Sequence, residues 1–517
     1  MKVISAEIMR NAERLAIEKF GIPGLTLMET AGRNCSDAIF SEFGWKEFTR
    51  AAVIAGKGNN GGDGYVIARY LHRQGWRVRV FVMARAEEIS GDAAVNLALL
   101  DREMVTFCAE PGELGRHADE LDKADLIVDA LFGIGLKSDI KGIHSEAVEL
   151  INSSGRPVVS VDIASGVDST TGEILGTAVR ADLTVTFAFA KTGHVLYPGA
   201  EYAGRLKVVG IGLPPEVTES VEGYDFVDSD AVRPLLRKRS RCAHKGDFGH
   251  CLILAGSTGK TGAAALAANS AVRTGSGLVT LAVPASLNPV LEIKTTEAMT
   301  LPLEDTGKGY LCTTLDSLNK ALAGKDALAV GPGIGWNAET AALVRGLVQE
   351  ISLPMVIDAD GLNSVSEDVS VLERKKSGCM VLTPHPGEMS RLTGLSVAEI
   401  EADRIAAARN FAVQYGVHVV LKGARTVISA PDGRIAINGS GNPGMASGGM
   451  GDVLTGVLVS LLGQSYPAFD ACRIGVFLHG HAADLVAEEK GEVGISAVDV
   501  QERLPRALNN ILNRRET

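Results

Sequence analysis

A glycine-rich segment that runs into a single carboxylate is the clearest chemical feature of this 517-residue chain. In GNPGMASGGMGDVLTG, residues 441–456, small residues lead to Asp452 at the start of an apolar, helix-forming stretch. Free backbone amides at a helix N-terminus bind anions, and a carboxylate beside them can take a proton from an attacking hydroxyl. Phosphoryl transfer requires this combination. The alternative is that Asp452 only caps the helix, although capping alone does not need so many glycines.

A second glycine-rich segment, AGKGNNGGDGY (residues 55–65), follows a strand-like run and precedes a helix-like one. It has the G-x-G-x-x-G spacing of dinucleotide-binding loops, in which backbone amides reach a phosphate. The next strand-like run ends without an acid that could bind a ribose hydroxyl. The polar residues Asn59, Asn60 and Asp63 indicate a site that binds more than phosphate. The alternative is a turn whose glycines serve only close packing.

Two further strand-like runs in the first half end in acids, Asp129 in VDALFGIGL and Asp162 in VDIASGVDSTTG. A carboxylate at a strand end can ligate a cation or move a proton, and its simplest alternative role is to cap the following turn. Ligands of open parallel sheets bind beyond the carboxyl ends of strands, so the site is expected there. Lys191, in FAFAKTG, either faces the same cleft or is solvated, as most lysines at strand ends are.

Four loops of the second half carry further candidates. His385 lies between two prolines in TPHPGEMSRLTG, which orient it rigidly, so it has either a functional or a purely structural role. Asp358 and Asp360, in IDADGLN, could hold magnesium through water. KGARTVI, from Lys422, places a basic residue on each side of a glycine, which suits the ribose and phosphate of an adenine nucleotide. AGSTGKTGAA, from Ala255, lacks the first glycine of a P-loop and is predicted to be a flexible approach loop.

Short β-branched runs alternate with helix-like spacers along the chain, which predicts the α/β class with parallel sheets buried on both faces. The pattern lapses between residues 214 and 245, where a polar, proline-containing stretch precedes a basic one, so we predict an inter-domain connection there. The expected architecture is an N-terminal Rossmann-like three-layer αβα domain over residues 1–214, followed by a second αβα domain over residues 225–515.

Composition and charge exclude several classes of protein. The formal charge of −11 disfavours nucleic-acid and anionic-membrane partners. The seven cysteines form no CxxC pair and no Cys/His ligand spacing, as expected for reduced thiols in a cytoplasmic protein. The first 20 residues lack the continuous apolar region of a secretory signal, and no stretch approaches the length needed to span a membrane.

The segments GKGNNGGDGY, VDALFGIGL and VDIASGVDSTTG, with LMETAG from Leu27, resemble the signature loops of the NAD(P)H-hydrate epimerase domain over residues 1–214. The resemblance implies that Asp162 is the acid/base residue that interconverts the two hydrate epimers. It also implies a potassium ion near the side-chain oxygens of Asn60, Asp129 and Ser165. The implied substrate contacts are Asn59, Asn60, Gly61, Gly62, Asp63, Gly133, Ile134, Gly135, Leu136, Lys137, Ser138, Asp139 and Asp162.

The segments HKGDFGHCLILAGSTGKTGAA, VGPGIG, DADGLN, TPHPGE, KGARTVI and GNPGMASGGMGDVLTG resemble, in order, the ADP/ATP-dependent NAD(P)H-hydrate dehydratase domain of the ribokinase-like superfamily. The resemblance, over roughly residues 225–510, implies a ribokinase-like fold. It implies that Asp452 deprotonates the substrate hydroxyl, which attacks the terminal phosphoryl group of ADP, with Mg²⁺ as cofactor. The implied hydrate contacts are Ala263, Gly333, His385 and Asp452. The implied ADP contacts are Lys422, Gly423, Ala424, Arg425, Thr426 and Gly451.

Together the resemblances predict one chain that repairs hydrated NADH and NADPH. It would epimerise the R and S hydrates and then dehydrate the S hydrate with ADP, releasing AMP and phosphate. One alternative makes the second half a ribokinase-like kinase for a vitamin-precursor alcohol, although such a kinase does not need GKGNNGGDGY upstream. Another makes the first half a non-catalytic binding or dimerisation module, which Asn60, Asp129 and Asp162 disfavour. We expect small-molecule substrates, no nucleic-acid or membrane partner, and a homo-oligomer.

Overall fold

The computed structural model describes residues 1–44 and 48–513 and divides into two compact units, Lys2–Tyr224 and the chain from Asp225 onwards. This division falls inside the segment 214–245, for which the sequence predicts a connection. The segment is more ordered than that prediction implies, because it contains two short helices and a strand. The predicted domain end at 515 lies outside the described residues.

The first unit alternates strands and helices, with its seven main strands in one sheet. Its elements are β1 (Lys2–Ile4), α1 (Ala6–Glu18), α2 (Gly24–Phe43), β2 (Arg50–Ala55), α3 (Asn59–Arg73), β3 (Arg77–Val82), α4 (Gly91–Ala98), β4 (Val105–Phe107), α5 (Ala118–Asp122), β5 (Leu126–Ala130), α6 (Ile143–Ser153), β6 (Val158–Val161), β7 (Leu183–Phe187), β8 (Ala190–Lys191), β9 (Arg205–Val209) and α7 (Pro215–Ser220).

The main sheet of the first unit has the order β4-β3-β2-β5-β6-β7-β9, and every pair of neighbours is parallel. Alternate residues of β2 enter two separate cores. Val53 and Ala55 pack in the core with α2 and α3, whereas Ala52 and Ile54 pack in the core with α5 and α6. The strand order reverses between β2 and β5. Ligands of open α/β sheets bind at such a switch point.

The second unit repeats the pattern with more helix. Its elements are β10 (Tyr224–Val227), α8 (Ser229–Val232), β11 (His250–Leu254), α9 (Thr261–Thr274), β12 (Leu278–Pro284), α10 (Asn288–Lys294), β13 (Met299–Leu303), α11 (Leu315–Leu322), β14 (Ala327–Val330), α12 (Ala338–Glu350), β15 (Met355–Ile357), α13 (Asp360–Ser366), β16 (Met380–Leu382), α14 (Pro386–Thr393), α15 (Val397–Ala402), α16 (Arg404–Tyr415), β17 (His418–Leu421), β18 (Val427–Ser429), β19 (Ile435–Asn438), α17 (Met450–Gly463), α18 (Ala468–Lys490) and α19 (Ala497–Asn513).

The strands of the second unit follow the order β13-β12-β11-β14-β15-β16-β17-β18-β19-β10. Only the pairings of β18 with its two neighbours are antiparallel among these described strands. Cys251 and Ile253 of β11 face a core built with α9, α17, α18 and α19. The alternating residues Leu252 and Leu254 are buried on the opposite face. The switch point of this sheet lies between β11 and β14.

The predicted α/β class, with parallel sheets covered on both faces, is confirmed. The sequence missed the short strands β4 and β9, which lie at the two edges of the first sheet. Their residues are at least partly exposed and include polar side chains, so they lack the apolar run of a buried strand. Across residues 1–44 and 48–513, every helix falls short of the length and apolarity needed to cross a bilayer.

The core packing of the first unit gives a direct stability prediction. Ile54 is fully buried in the central strand β2, so Ile54→Ala leaves a cavity and is expected to lower the free energy of unfolding by about 2–5 kcal/mol. Val95→Ala, at an exposed position of α4, serves as the control and should change it by less than about 0.5 kcal/mol. Urea denaturation followed by circular dichroism measures the free energy of unfolding of both variants. Equal effects would contradict the burial of Ile54 in a core on its face of the sheet.

Candidate active sites

Asp162 is held in a strained backbone conformation directly after β6. Its φ angle is +66°, in the left-handed region that residues other than glycine rarely adopt. Its backbone N–H donates to Val185 O at 2.8 Å, and its carbonyl oxygen lies 2.9 Å from Nε2 of His194. Backbone strain of this kind persists where the surroundings fix it, and such positions cluster at functional sites.

The carboxylate of Asp162 forms a buried ion pair with Lys191, at the end of β8. Lys191 Nζ donates to Asp162 Oδ1 at 2.5 Å, and the lysine is fully buried. The alternative of a solvated Lys191 is therefore wrong, and the apolar residues before it in FAFAKTG were the available signal. Burial alone would raise the pKa of Asp162, but the charge and the hydrogen bond of Lys191 hold that pKa below its usual value.

Asp63 and Glu13 add two carboxyl groups within electrostatic reach of Asp162. Burial, reinforced by the negative charge of Asp162, raises the pKa of Asp63 well above its usual value and that of Glu13 to about 7. Glu13 was not identified from the sequence, although it lies one helical turn after the buried Met9 of α1. The site thus combines an ionised carboxylate with carboxyl groups that bind protons more readily, the pattern of an acid–base pair.

The first turn of α3 carries the predicted substrate contacts 59–63. Its glycines are tightly packed: a Cβ atom at Gly61 would lie 1.9 Å from the carbonyl oxygen of Gly56, and one at Gly56 would lie 2.1 Å from Leu131 O. The packing alternative therefore explains these glycines, and a binding role falls to the polar side chains. Asn60 Nδ2 is buried without a hydrogen-bond partner, which marks an orphaned donor.

The loop after β5 carries the second group of predicted contacts, 133–139. A Cβ atom at Gly133 would lie 3.1 Å from Asn60 Oδ1, so this loop meets the first turn of α3. Ile134 and Leu136 are partly buried against the two cores of the unit. The remaining members of the loop are exposed: Gly135, Lys137, Ser138 and Asp139.

Asp129 and Ser165, predicted to bind potassium, are in direct contact. The Asp129 carboxylate accepts hydrogen bonds from the Ser160 hydroxyl, from the Ser165 hydroxyl and amide, and from the Leu131 amide, at 2.6–3.3 Å. These four bonds use the acceptor capacity of a carboxylate. The oxygen types suit K⁺, but in this arrangement Asp129 has no free acceptor site, so the residues do not fit the ion as they stand.

The second unit contains another carboxylate–lysine pair, of a buried Asp358 and a partly buried Lys422. Lys422 Nζ, in the loop after β17, donates to Asp358 Oδ1 at 2.8 Å, and the Thr455 hydroxyl donates to Asp358 Oδ2 at 2.8 Å. Glu388 lies 3.8 Å from the same ammonium group. Burial would lower the pKa of Lys422, but the facing carboxylates, above all Asp358, raise it instead. Lys422 thus stays protonated and positively charged inside the site.

Asp452 lies in the first turn of α17, beside this pair. The helix begins at Met450 and is capped by Gly449 without a side-chain hydrogen bond, so the capping alternative for Asp452 is wrong. A Cβ atom at Gly451 would lie 3.4 Å from Lys422 Nζ, which places the helix start against the lysine. Burial, followed by the charge of Asp358, raises the pKa of Asp452 to about 7. A carboxyl group with such a pKa can both take up and release a proton near neutrality.

The loops at the switch point bring together Ala263, Gly333 and Lys260. A Cβ atom at Gly333 would lie 2.8 Å from Lys260 Cβ and 3.1 Å from Ala263 Cβ. Lys260 Nζ donates to Asp360 Oδ2 at 2.9 Å, and Gly335 N donates to the same oxygen at 3.0 Å. Lys260 also lowers the pKa of Asp452, although burial and Asp358 outweigh it. The segment AGSTGKTGAA therefore contributes a cation that sequence reasoning did not identify.

His385 caps α14. Its Nδ1 accepts hydrogen bonds from the backbone N–H groups of Gly387 and Glu388, at 3.0 and 3.4 Å. The alternative of a purely structural role is thus correct for the Nδ1 edge of the imidazole ring. Nε2 lies 3.5 Å from Glu388 Oε1, and the side chain remains half-exposed, so its other edge is open to a ligand.

Hydrogen bonds from Arg404 support the predicted nucleotide-binding turn, residues 422–426. The guanidinium group of this residue donates to the carbonyl oxygens of Leu421, Lys422 and Ala424, at 2.6–3.2 Å. Arg425 has a φ angle of +57° and donates to Gly439 O at 2.6 Å. Arg404 was not identified from the sequence, since nothing in its helix indicates a partner near residue 422.

Magnesium fits this site only in part. Both oxygens of Asp358 are occupied by Lys422 and Thr455, and Oδ2 of Asp360 is bonded to Lys260. Within the described residues, no group of three or more His, Cys, Asp or Glu side chains could hold a metal ion. Mg²⁺ usually keeps several waters and takes ligands from substrate phosphates, so one or two carboxylates acting through water are sufficient.

Two protein families match successive parts of the chain. Residues 24–193 match the family described as YjeF-related protein N-terminus, and residues 251–506 match the family described as NAD(P)H-hydrate dehydratase. A hypothetical protein of Streptococcus mutans, 24% identical, has a solved structure with a TM-score of 0.50 that covers 56% of this chain and 100% of its own. This likeness shows the fold alone. The fold and the two constellations define a two-domain α/β enzyme.

Curated relatives match the whole chain. The bifunctional NAD(P)H-hydrate repair enzyme Nnr of Moorella thermoacetica is 41% identical over 100% of this chain and 98% of its own length. The enzyme of the same name from Thermofilum pendens is 41% identical over 98% of this chain and 96% of its own. The chain belongs to the family of bifunctional NAD(P)H-hydrate repair enzymes.

The contacts of Arg404 predict a local effect. Arg404→Met removes the hydrogen bonds to three carbonyl oxygens, so the turn 422–425 should open more readily, and its amides should exchange hydrogen at least about tenfold faster. Hydrogen–deuterium exchange read by mass spectrometry checks this. Arg374→Met, which removes an exposed ion pair with Asp368, is the matched control and should leave the turn unchanged. Unaltered hydrogen exchange in Arg404→Met would contradict the inference that Arg404 stabilises this turn.

Proposed function

We propose that this chain repairs hydrated NADH and NADPH, with the first unit as epimerase and the second as dehydratase. The single observation that carries the proposal is Asp452. Its carboxyl group lies at the N-terminal turn of α17, next to the partly buried Lys422, with its pKa raised to about 7. A base, a cation and free helix amides in one place are what transfer of a phosphoryl group to a hydroxyl requires.

In the dehydratase unit, Asp452 takes the proton of the substrate hydroxyl as the oxygen attacks the terminal phosphoryl group of ADP. The amides at the start of α17 and the ammonium group of Lys422 stabilise the charge on that group. AMP leaves as the new phosphate ester forms. The phosphorylated hydrate then loses phosphate from one carbon and a proton from the neighbouring carbon, which restores the nicotinamide double bond. Ala263, Gly333 and the open edge of His385 contact the hydrate, and residues 422–426 with Gly451 contact the nucleotide.

In the epimerase unit, Asp162 takes the proton of the hydroxyl group on the carbon that changes configuration, as the bond from that carbon to the ring nitrogen opens to a carbonyl, and the proton passes to the nitrogen. The same steps in reverse, on the other face of the carbonyl, return the proton and give the other epimer. Asn59 to Asp63 and Gly133 to Asp139 form the walls that hold the substrate. The orphaned Nδ2 of Asn60 is suited to donate to a substrate oxygen, because a buried donor without a partner gains most from a ligand. The buried, strained Asp162 supports catalysis over the alternative of a non-catalytic binding module.

The more specific expectations remain predictions. They are K⁺ in the epimerase unit, ADP with Mg²⁺ as the phosphoryl donor, a homo-oligomeric state, the absence of nucleic-acid and membrane partners, and a cytoplasmic location. Any Mg²⁺ would be held through water by Asp360 and Asp358 and by the nucleotide phosphates, and it would neutralise phosphate charge.

Product analysis tests the proposed function. Purified protein is incubated with the mixed R and S hydrates and ADP, and reduced nicotinamide is followed by its absorbance. Complete conversion is expected, because the epimerase supplies the S hydrate as the dehydratase consumes it. Conversion that stops near half would show dehydration alone and contradict the epimerase. A stable phosphorylated alcohol in place of free phosphate would support the kinase alternative.

The pKa of Asp452 sets the pH dependence of dehydration. The ionised carboxylate is the active base, and its pKa is raised to about 7, so kcat should fall as the pH drops through 7 and level off above it. Asp452→Asn should reduce kcat at least about 10²-fold above pH 7 and should abolish its pH dependence around pH 7. Asp316→Asn, at an exposed position of α11, is the control and should behave as wild type. A kcat independent of pH between 5.5 and 8 would rule out Asp452 as the base.

A further inference from the structure

We propose that Lys191 is a positioning residue of the epimerase site. Its ammonium group engages Oδ1 of Asp162 and so leaves Oδ2 as the oxygen that exchanges a proton with the substrate. This inference rests on the proposed epimerase function and adds to it a second essential residue and the identity of the reacting oxygen.

The hydrogen bonds to Asp162 distinguish its two oxygens. Oδ1 lies within hydrogen-bond distance of three donors: Lys191 Nζ at 2.5 Å, Thr186 Oγ1 at 3.0 Å and Phe187 N at 3.3 Å. A carboxylate oxygen has about two lone-pair sites, so Oδ1 is saturated. Across the described residues, every hydrogen bond recorded for this carboxylate ends on Oδ1. A proton can therefore be exchanged only at Oδ2.

Lys191 itself cannot contact the substrate. Its three N–H groups have three acceptors, namely Asp162 Oδ1, Thr186 Oγ1 at 2.9 Å and Phe187 O at 3.0 Å. The side chain is completely buried, so it has neither a spare donor nor an exposed surface. The lysine consequently acts through Asp162, by fixing the orientation of the carboxylate and by keeping it ionised.

The other groups that face Asp162 cannot replace this charge. The titratable groups around it are Glu13 on α1, Cys35 on α2, Asp63 on α3, and Lys191 and His194 at and after β8. Burial, together with the nearby Lys191, lowers the pKa of His194 to about 4, so the imidazole is neutral at physiological pH. The remaining three are carboxyl or thiol groups, which are negative or neutral. Lys191 therefore supplies the positive charge that keeps Asp162 ionised.

The test is Lys191→Met in the full-length chain, which keeps an unbranched side chain only one atom shorter and removes the charge. Exchange between the R and S hydrates is measured without ADP from pH 6 to 9. We expect exchange at pH 7 to fall about tenfold to a hundredfold, because a buried carboxyl group without a positive partner can have a pKa of about 8–9 and is then mostly protonated at pH 7. We also expect the activity to recover as the pH rises, because a higher pH ionises the isolated carboxyl group.

Two further variants separate positioning from simple support of the fold. Lys191→Arg keeps the charge but changes the donor geometry, so exchange should slow while its dependence on pH stays that of wild type. Lys207→Met, at an exposed lysine of β9, should leave exchange unchanged. Circular dichroism verifies folding of each variant, and ADP-driven dehydration of the S hydrate serves as an internal control for the second unit.

The outcomes are distinct. A Lys191→Met variant with wild-type exchange, or with the same loss at every pH, overturns the positioning role. If Lys191→Met fails to fold, Lys191→Arg decides: a slower rate with an unchanged pH profile supports the role, and a wild-type rate overturns it. Wild-type protein that exchanges no epimers would refute the proposed epimerase function itself, whatever the variants do.

Discussion

Both candidate sites are built around a buried carboxylate that pairs with a lysine at the end of a different strand. Asp162 meets Lys191 at 2.5 Å in the first unit, and Asp358 meets Lys422 at 2.8 Å in the second. An unpaired charge at such depth would cost several kcal/mol, so each acid needs its lysine. In the second unit the strand order makes Lys422 available, because β15 and β17 are parallel strands of one sheet and their carboxyl ends lie at the same edge. In the first unit Lys191 ends β8, which lies outside the seven-stranded sheet, so the chain that follows β7 brings it to Asp162.

The reactive carboxyl groups of the two sites have pKa values shifted in opposite directions. In the first unit the lysine bonds directly to Asp162 and holds its pKa down. In the second unit the lysine bonds to Asp358 instead, and burial, followed by the negative charge of Asp358, raises the pKa of Asp452 to about 7 although Lys422 lowers it. A carboxylate that stays ionised suits an exchange with no net loss of a proton. A carboxyl group poised near neutrality suits a step that removes a proton during phosphoryl transfer.

The sequence predicted the buried strands and the loops that follow them, because apolar β-branched runs and glycine clusters are local features. It did not predict which side chains pair. Asp162 and Lys191 are 29 positions apart, and Asp358 and Lys422 are 64 apart, so their meeting depends on tertiary structure. For this reason the sequence left open whether Lys191 faces the cleft or is solvated. Glu13 was missed because one acid on an amphipathic helix resembles an ordinary surface residue.

The glycines of the 55–65 loop have a packing role, and through it they also shape the candidate active site. Gly56 and Gly61 allow the start of α3 to lie directly against the loop that follows β5, at distances that exclude any Cβ atom. This close approach sets Asn60 beside Gly133 and brings Asp63 within electrostatic reach of Asp162. The glycines need not touch a ligand to be essential, because a larger residue would push the polar side chains of α3 away from the strand ends where the acids lie. Close packing is thus the means by which this loop builds the site.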